Sequence, residues 1–127
     1  IMAVTKTTTI TALAGNLVVD FNANESEENN VTGNTSGSMY LIEIDNTANA
    51  NSFAYVKIRD AASAVPSDVN NGVPTWQFAA SPASKASYVF PDGQEYSAGL
   101  SLWCVTGAAH QNTSPPGNPV VVKIISS

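Results

Sequence analysis

The residues of this chain that could supply a nucleophile and a base are its single cysteine, Cys104, and its single histidine, His110. A reactive thiol needs a base within hydrogen-bond reach. If the strand around Cys104 continued to His110, the two would lie about 20 Å apart. Leu100, Leu102 and Cys104 share one strand face, so we expect Cys104 to pack as a small apolar residue. No catalytic residue is predicted, and the chain is not expected to be an enzyme.

Acidic and amide side chains between Asp20 and Asn24 alternate as they do at the start of a calcium-binding loop. That loop requires glycine at its sixth position and an acidic residue at its twelfth, where this chain has Glu25 and Val31. An EF-hand is therefore excluded, and neither a metal centre nor a cofactor is predicted. A looser cation site remains open beside the simpler interpretation of a solvated acidic loop, and its four carboxylates would be Asp20, Glu25, Glu27 and Glu28.

Three aromatic residues, Trp76, Tyr88 and Tyr96, could form a platform for sugars on one sheet face. The alternative is that they fill the core of a small sandwich. This platform is the sequence basis for one alternative function, a carbohydrate-binding module that attaches to host glycans.

Composition narrows the possible partners. The net charge is −5, and the five basic residues are scattered, so nothing resembles a row of phosphate contacts. No run approaches the roughly 18 apolar residues of a membrane span. Neither nucleic acid nor a membrane is an expected partner.

The elements that must hold these residues are strands. Charged residues make up only 12% of the 127-residue chain, and apolar runs alternate with a period of two between turn-rich gaps. We predict one all-β domain over residues 1–127, an antiparallel, jelly-roll-like β-sandwich of about eight strands. Residues 1–37 are its less regular part, with a polar loop at 22–37. The predicted strands are Ala3–Leu13, Asn16–Phe21, Ser38–Asp45, Phe53–Asp60, Thr75–Ala79, Ser87–Phe90, Gly99–Gly107 and Pro119–Ile125. A turn is predicted at "PDGQ", before the seventh strand. The alternation predicts ten mostly buried residues: Leu17, Val19, Ile42, Ile44, Val56, Ile58, Leu100, Leu102, Val122 and Ile124.

The strand Phe53–Asp60 presents the clearest candidate for an interface. Ala54, Val56 and Ile58 point one way and suit the core. The opposite face mixes aromatic and cationic side chains, as protein interfaces do, and its residues are Phe53, Tyr55, Lys57 and Arg59. The same face could instead be packed by loops of the chain itself.

Two longer stretches resemble a family of small virion structural proteins of tailed bacteriophages, including phages of marine cyanobacteria. They are "YLIEIDNTANANSFAYVKIRDAASA" and "FPDGQEYSAGLSLWCVTGAAHQNTSPPGNPVVVKI". The resemblance covers about residues 38–125, and its motifs are structural rather than chemical.

The resemblance implies a β-sandwich on the capsid surface of a virion. The implied role is a capsid cement or decoration protein that bridges capsomers, with the major capsid protein and further copies of itself, three in the expected oligomer, as partners. A component of the tail or of a head appendage is the alternative within the same family.

Overall fold

The computed structural model describes residues 4–8 and 15–127; Ala3 and the part of the predicted first strand beyond residue 8 lie outside the described residues. The described residues form eight strands and no helix, arranged in two antiparallel sheets, which confirms the predicted β-sandwich. The strands are β1 (Val4–Thr8), β2 (Asn16–Ala23), β3 (Gly37–Asp45), β4 (Ala54–Asp60), β5 (Trp76–Ala80), β6 (Lys85–Tyr96), β7 (Leu100–Val105) and β8 (Val120–Ser126).

The strand order is that of a jelly roll. One sheet runs β1-β2-β8-β3-β6 and the other β5-β4-β7. Residues 24–31 lie beside the free edge of β7, where the fourth strand of the second sheet belongs. Glu28 and Leu102 exchange two backbone hydrogen bonds of 2.8 and 2.9 Å, and the Val31 amide donates to the Leu100 carbonyl at 2.8 Å. The polar stretch 22–37 therefore covers an exposed edge as well as connecting two strands.

The core lies between the inner faces of the two sheets. In the larger sheet, Val18, Ile124 and Ile42 are neighbours across β2, β8 and β3, and each is at most 1% exposed. Val56 and Ile58 of β4 and Leu102 of β7 face them from the smaller sheet and are equally buried. Of the ten residues predicted to be buried, Leu17 alone is only partly buried, and the other nine are buried: Val19, Ile42, Ile44, Val56, Ile58, Leu100, Leu102, Val122 and Ile124.

The predicted faces of β2 are wrong by one residue. Val18 and Asp20 point into the core, whereas Leu17, Val19 and Phe21 lie on the outer face, and Phe21 is 55% exposed. An aspartate between apolar residues predicts an outward position, because carboxylates are almost never fully buried. Asp20 is an exception, with none of its surface exposed.

The turn predicted at "PDGQ" is also wrong, because the stretch lies within a strand. β6 continues through it to Tyr96, and a register shift opposite Met39 and Leu41 absorbs the extra residues. Gly93, with φ of 80°, supplies the conformation that such a bulge requires. The matching irregularity in β3 places Met39 in the core, where simple alternation would have placed Tyr40.

Candidate interaction surface

The predicted interface of β4 lies on the outer face of the smaller sheet. Connecting segments of the chain cover much of this face. Ala64, from the segment between β4 and β5, packs with Trp103 and Val105 of β7, and Tyr55 packs against this group. The Arg59 guanidinium donates to the Val73 carbonyl at 2.7 Å. Tyr55 and Arg59 of the predicted interface thus contact a connecting segment of the chain, and whether this strand also binds a partner stays a prediction.

Lys57 is the residue least available to a partner. Its side chain has no exposed surface, and its ammonium group donates a hydrogen bond to the Ala109 carbonyl in the segment after β7. Register places it between Gln77 and Trp103 on the neighbouring strands. Burial lowers the pKa of this ammonium group. Lys57 therefore fastens a covering segment to the sheet.

Phe53 and Tyr55 form the aromatic part of the predicted interface. Their rings stack with centroids 5.8 Å apart and an interplanar angle of 21°, and Phe53 is 45% exposed. Aromatic pairs of this kind are rigid and amphipathic, which suits a protein contact. At the other end of the strand, the segment between β4 and β5 exposes three apolar side chains, Val65, Val69 and Val73.

A polar groove of about 530 Å³ lies where the two sheets meet, lined by Ser36, Gly37, Ser38, Asp60, Glu95, Tyr96 and Ser97. The Asp60 carboxylate accepts hydrogen bonds from the amides of Ser97 and Ala98 at 2.8–3.0 Å. The Tyr96 hydroxyl bonds to the Thr32 hydroxyl at 3.0 Å. Two of the lining polar groups, the Asp60 carboxylate and the Tyr96 hydroxyl, are thus engaged in contacts within the chain.

Cys104 lies in the core, as expected, with no exposed surface. Burial, followed by the nearby charge of Asp20, raises the pKa of its thiol to about 12. The thiol is therefore protonated at neutral pH, and His110 lies apart from it on an exposed segment. This arrangement is the opposite of what an activated cysteine needs.

We expect Cys104 of the native protein to resist thiol reagents and to react fully once the chain is unfolded in urea. Cys104→Ala should lower the free energy of unfolding by about 1 kcal/mol, because it removes one buried sulfur. Labelling followed by mass spectrometry checks the first point and urea titration the second. Rapid stoichiometric labelling of the folded chain would contradict the buried position.

Asp20 is buried in β2, whereas the other three residues of the candidate cation site, Glu25, Glu27 and Glu28, lie in the segment that follows this strand. The Asp20 carboxylate points into the core, where Oδ1 accepts the Asn22 amide at 3.0 Å and Oδ2 has no hydrogen-bond partner among the described residues. Burial, and to a lesser degree the charge of Glu28, raises the pKa of this carboxyl. The described residues contain no group of three or more acidic, cysteine or histidine side chains placed to hold a metal ion. The looser cation site of Asp20, Glu25, Glu27 and Glu28 is therefore not assembled.

Asp20→Asn should stabilise the protein increasingly as pH rises above about 4, the ordinary pKa of an aspartate. A carboxyl whose pKa is raised by folding contributes its full stability below the unfolded pKa, and that contribution is lost as pH rises toward the folded pKa. The difference in unfolding free energy between variant and wild type should therefore grow with pH, by at most about 1.4 kcal/mol per unit.

Urea titrations at pH 4 and pH 7 measure this difference. Asp92→Asn, at an exposed position, is the matched control and should show no such growth. A difference for Asp20→Asn that stays constant or shrinks toward neutral pH would contradict the buried, unpaired carboxyl.

The three aromatic residues proposed as a sugar platform do not lie together on an exposed face. Trp76 and Tyr88 pack against the core, and the Tyr88 hydroxyl donates to the Ala79 carbonyl at 2.5 Å. Tyr96 is 2% exposed. Their role in this structure is to fill the interior.

Among the described residues there is no helix with the length and apolar composition of a membrane span. Comparison of the chain with models of protein families, with curated proteins and with solved structures found no match in any of the three.

Proposed function

We propose that this chain is a non-enzymatic structural protein of a bacteriophage virion, a capsid cement or decoration protein that binds the major capsid protein and bridges capsomers. The proposal rests on the stacked, partly exposed Phe53–Tyr55 pair on a jelly-roll fold. Aromatic side chains of this kind are enriched where proteins bind one another.

Two further features support a binding role. Two of the polar groups near the candidate surfaces are used internally: Asp60 accepts hydrogen bonds from the amides of Ser97 and Ala98, and Lys57 donates one to a covering segment. The chain is acidic, with a net charge of −5, which suits the outside of a shell rather than contact with packaged DNA. The three subunits that the resemblance implies would assemble on the shell, where modest contacts add up through avidity.

The test is cosedimentation of the purified chain with phage particles that lack it. The Phe53→Ala/Tyr55→Ala double variant should bind about tenfold or more weakly, because such anchors carry much of an interface's energy. Phe21→Ala is the matched control, since Phe21 is also an exposed aromatic residue, at 55%, but lies on the outer face of the larger sheet. Bound wild-type chain should also protect the particles against heat and osmotic shock.

Two outcomes would redirect the proposal. If the chain binds shells but protection is absent, cementing is wrong. If it binds glycan arrays or isolated tails and not shells, the carbohydrate-binding or appendage alternative replaces the capsid role.

A further inference from the structure

The outer face of the larger sheet carries a row of apolar side chains that crosses four strands. Leu17 of β2 pairs with Ile125 of β8, Ile125 with Leu41 of β3, and Leu41 with Val89 of β6. Val89 is 61% exposed, and the other three are partly buried. This face points away from the smaller sheet and therefore away from the core.

Charges of opposite sign lie directly beside this row. One position along the face, Lys123 of β8 stands opposite Glu43 of β3. One position further, Asp45 of β3 stands opposite Lys85 of β6, with the ammonium nitrogen 3.8 Å from the carboxylate. Two cations and two anions make this face locally neutral, although the chain as a whole carries −5.

We propose that this face pairs with the same face of a second copy, about a two-fold axis that runs along the strands between β8 and β3. Such an axis places β8 of one copy over β3 of the other and β2 over β6. Ile125 then meets the second copy's Leu41, and Leu17 meets its Val89. Lys123 meets the second copy's Glu43, and the reverse contact forms at the same time.

The charge pattern of this face favours a second copy of the chain as its binding partner. A two-fold operation brings every residue i against j and every j against i, so a face is self-complementary when its neighbouring strands carry opposite charges at the same level. Lys123 and Glu43 satisfy that condition on the two strands that flank the axis. They lie nearest the axis, where the twist of two aligned sheets separates the faces least.

The size of the face sets the strength of the pair. Four strands and three rows cover roughly 400 Å² of sheet by strand spacing and rise, below the roughly 800 Å² per partner of a standard interface. Pairing should therefore depend on concentration. The proposed pair uses the sheet opposite to Phe53 and Tyr55. A failure of self-association would therefore not contradict capsid binding, and a failure of capsid binding would not contradict self-association.

Sedimentation velocity of the purified chain, from micromolar to millimolar concentration, tests the proposal. The average mass should rise from one chain toward two. Glu43→Lys and Lys123→Glu should each weaken association by about tenfold or more, because each places like charges across the axis. Glu27→Lys makes the same charge change on the segment beside β7 and should leave association unchanged.

The decisive experiment mixes the Glu43→Lys and Lys123→Glu variants. Each alone has like charges within the chain and across the pair, but a mixed pair has opposite charges at both contacts across the axis. An equimolar mixture should therefore regain association, which no effect within one chain can explain. The proposal would be overturned if the wild-type chain keeps the mass of one chain at every concentration, or if neither charge reversal weakens association. A three-chain species that is insensitive to both reversals would also overturn it, as would a mixture that associates no more strongly than either variant alone.

Discussion

Trp103→Ala should lower the free energy of unfolding by about 3–5 kcal/mol, the range for removing a large aromatic side chain from a packed interior. Trp103 has no exposed surface and packs with Val105 and Ala64 between the smaller sheet and its covering segment. Small proteins are stable by only about 5–15 kcal/mol, so a large part of the stability would be lost. Urea unfolding followed by circular dichroism measures the change.

Trp103→Phe is the matched control. It keeps an aromatic ring and removes the indole Nε1, which has no hydrogen-bond partner among the described residues. We expect less than half the loss of the alanine variant, because the remaining cavity is smaller. Losses below about 1 kcal/mol for Trp103→Ala would mean that the outer face of the smaller sheet is not a packed layer.

Lys57→Ala should lower the free energy of unfolding by about 2–4 kcal/mol, because the four-carbon stem of a fully buried lysine packs like an apolar side chain. Lys57→Met keeps most of that volume and removes the buried charge. We expect its stability at pH 7 to lie within about 1 kcal/mol of wild type or above it.

The pH dependence separates packing from charge. Burial lowers the pKa of Lys57 in the folded protein below its unfolded value, near 10.5. The contribution of neutral Lys57 to wild-type stability is therefore fully present above pH 10.5 and is lost as pH falls through the folded pKa. The advantage of Lys57→Met over wild type should therefore be largest near pH 7 and shrink as pH rises toward 10.5. An advantage that grows with pH would contradict the buried ammonium group.

Most of the strand pattern could be predicted from the sequence, because residues of β4 and β7 that face the core recur at every second position. Ala54, Val56 and Ile58 are each at most 1% exposed, as the alternation predicts. The prediction for β2 is wrong because both faces of this strand are largely apolar, so alternation does not say which face is inward. The presence of Asp20 on one face favours the opposite face as the core side, which is incorrect here.

Two local features depend on the rest of the fold and could not be predicted from short windows of sequence. Proline and glycine in "PDGQ" favour a turn, but pairing of β6 with β3 on both sides holds the stretch as a bulge. Residues 22–37 cover the edge of β7 through backbone hydrogen bonds, and their polar composition does not predict this role. Backbone bonding is independent of side-chain type and leaves no compositional signal.

The candidate surfaces were predictable in part. Alternation found the outward face of β4, but the burial of Lys57 beneath the segment after β7 depends on a contact 52 residues away in sequence. The self-complementary face of β2, β8, β3 and β6 has a signal in the sequence, since these strands carry apolar residues at successive positions. Its charge pairing required the register, which sets Lys123 opposite Glu43.

A reconstruction of the virion that carries this chain tests the proposed role most directly. We expect density for a jelly roll on the outer surface of the capsid, in contact with the major capsid protein, with Phe53 and Tyr55 at that contact. Density for the chain at the tail alone, or its absence from the particle, would contradict a capsid cement or decoration protein.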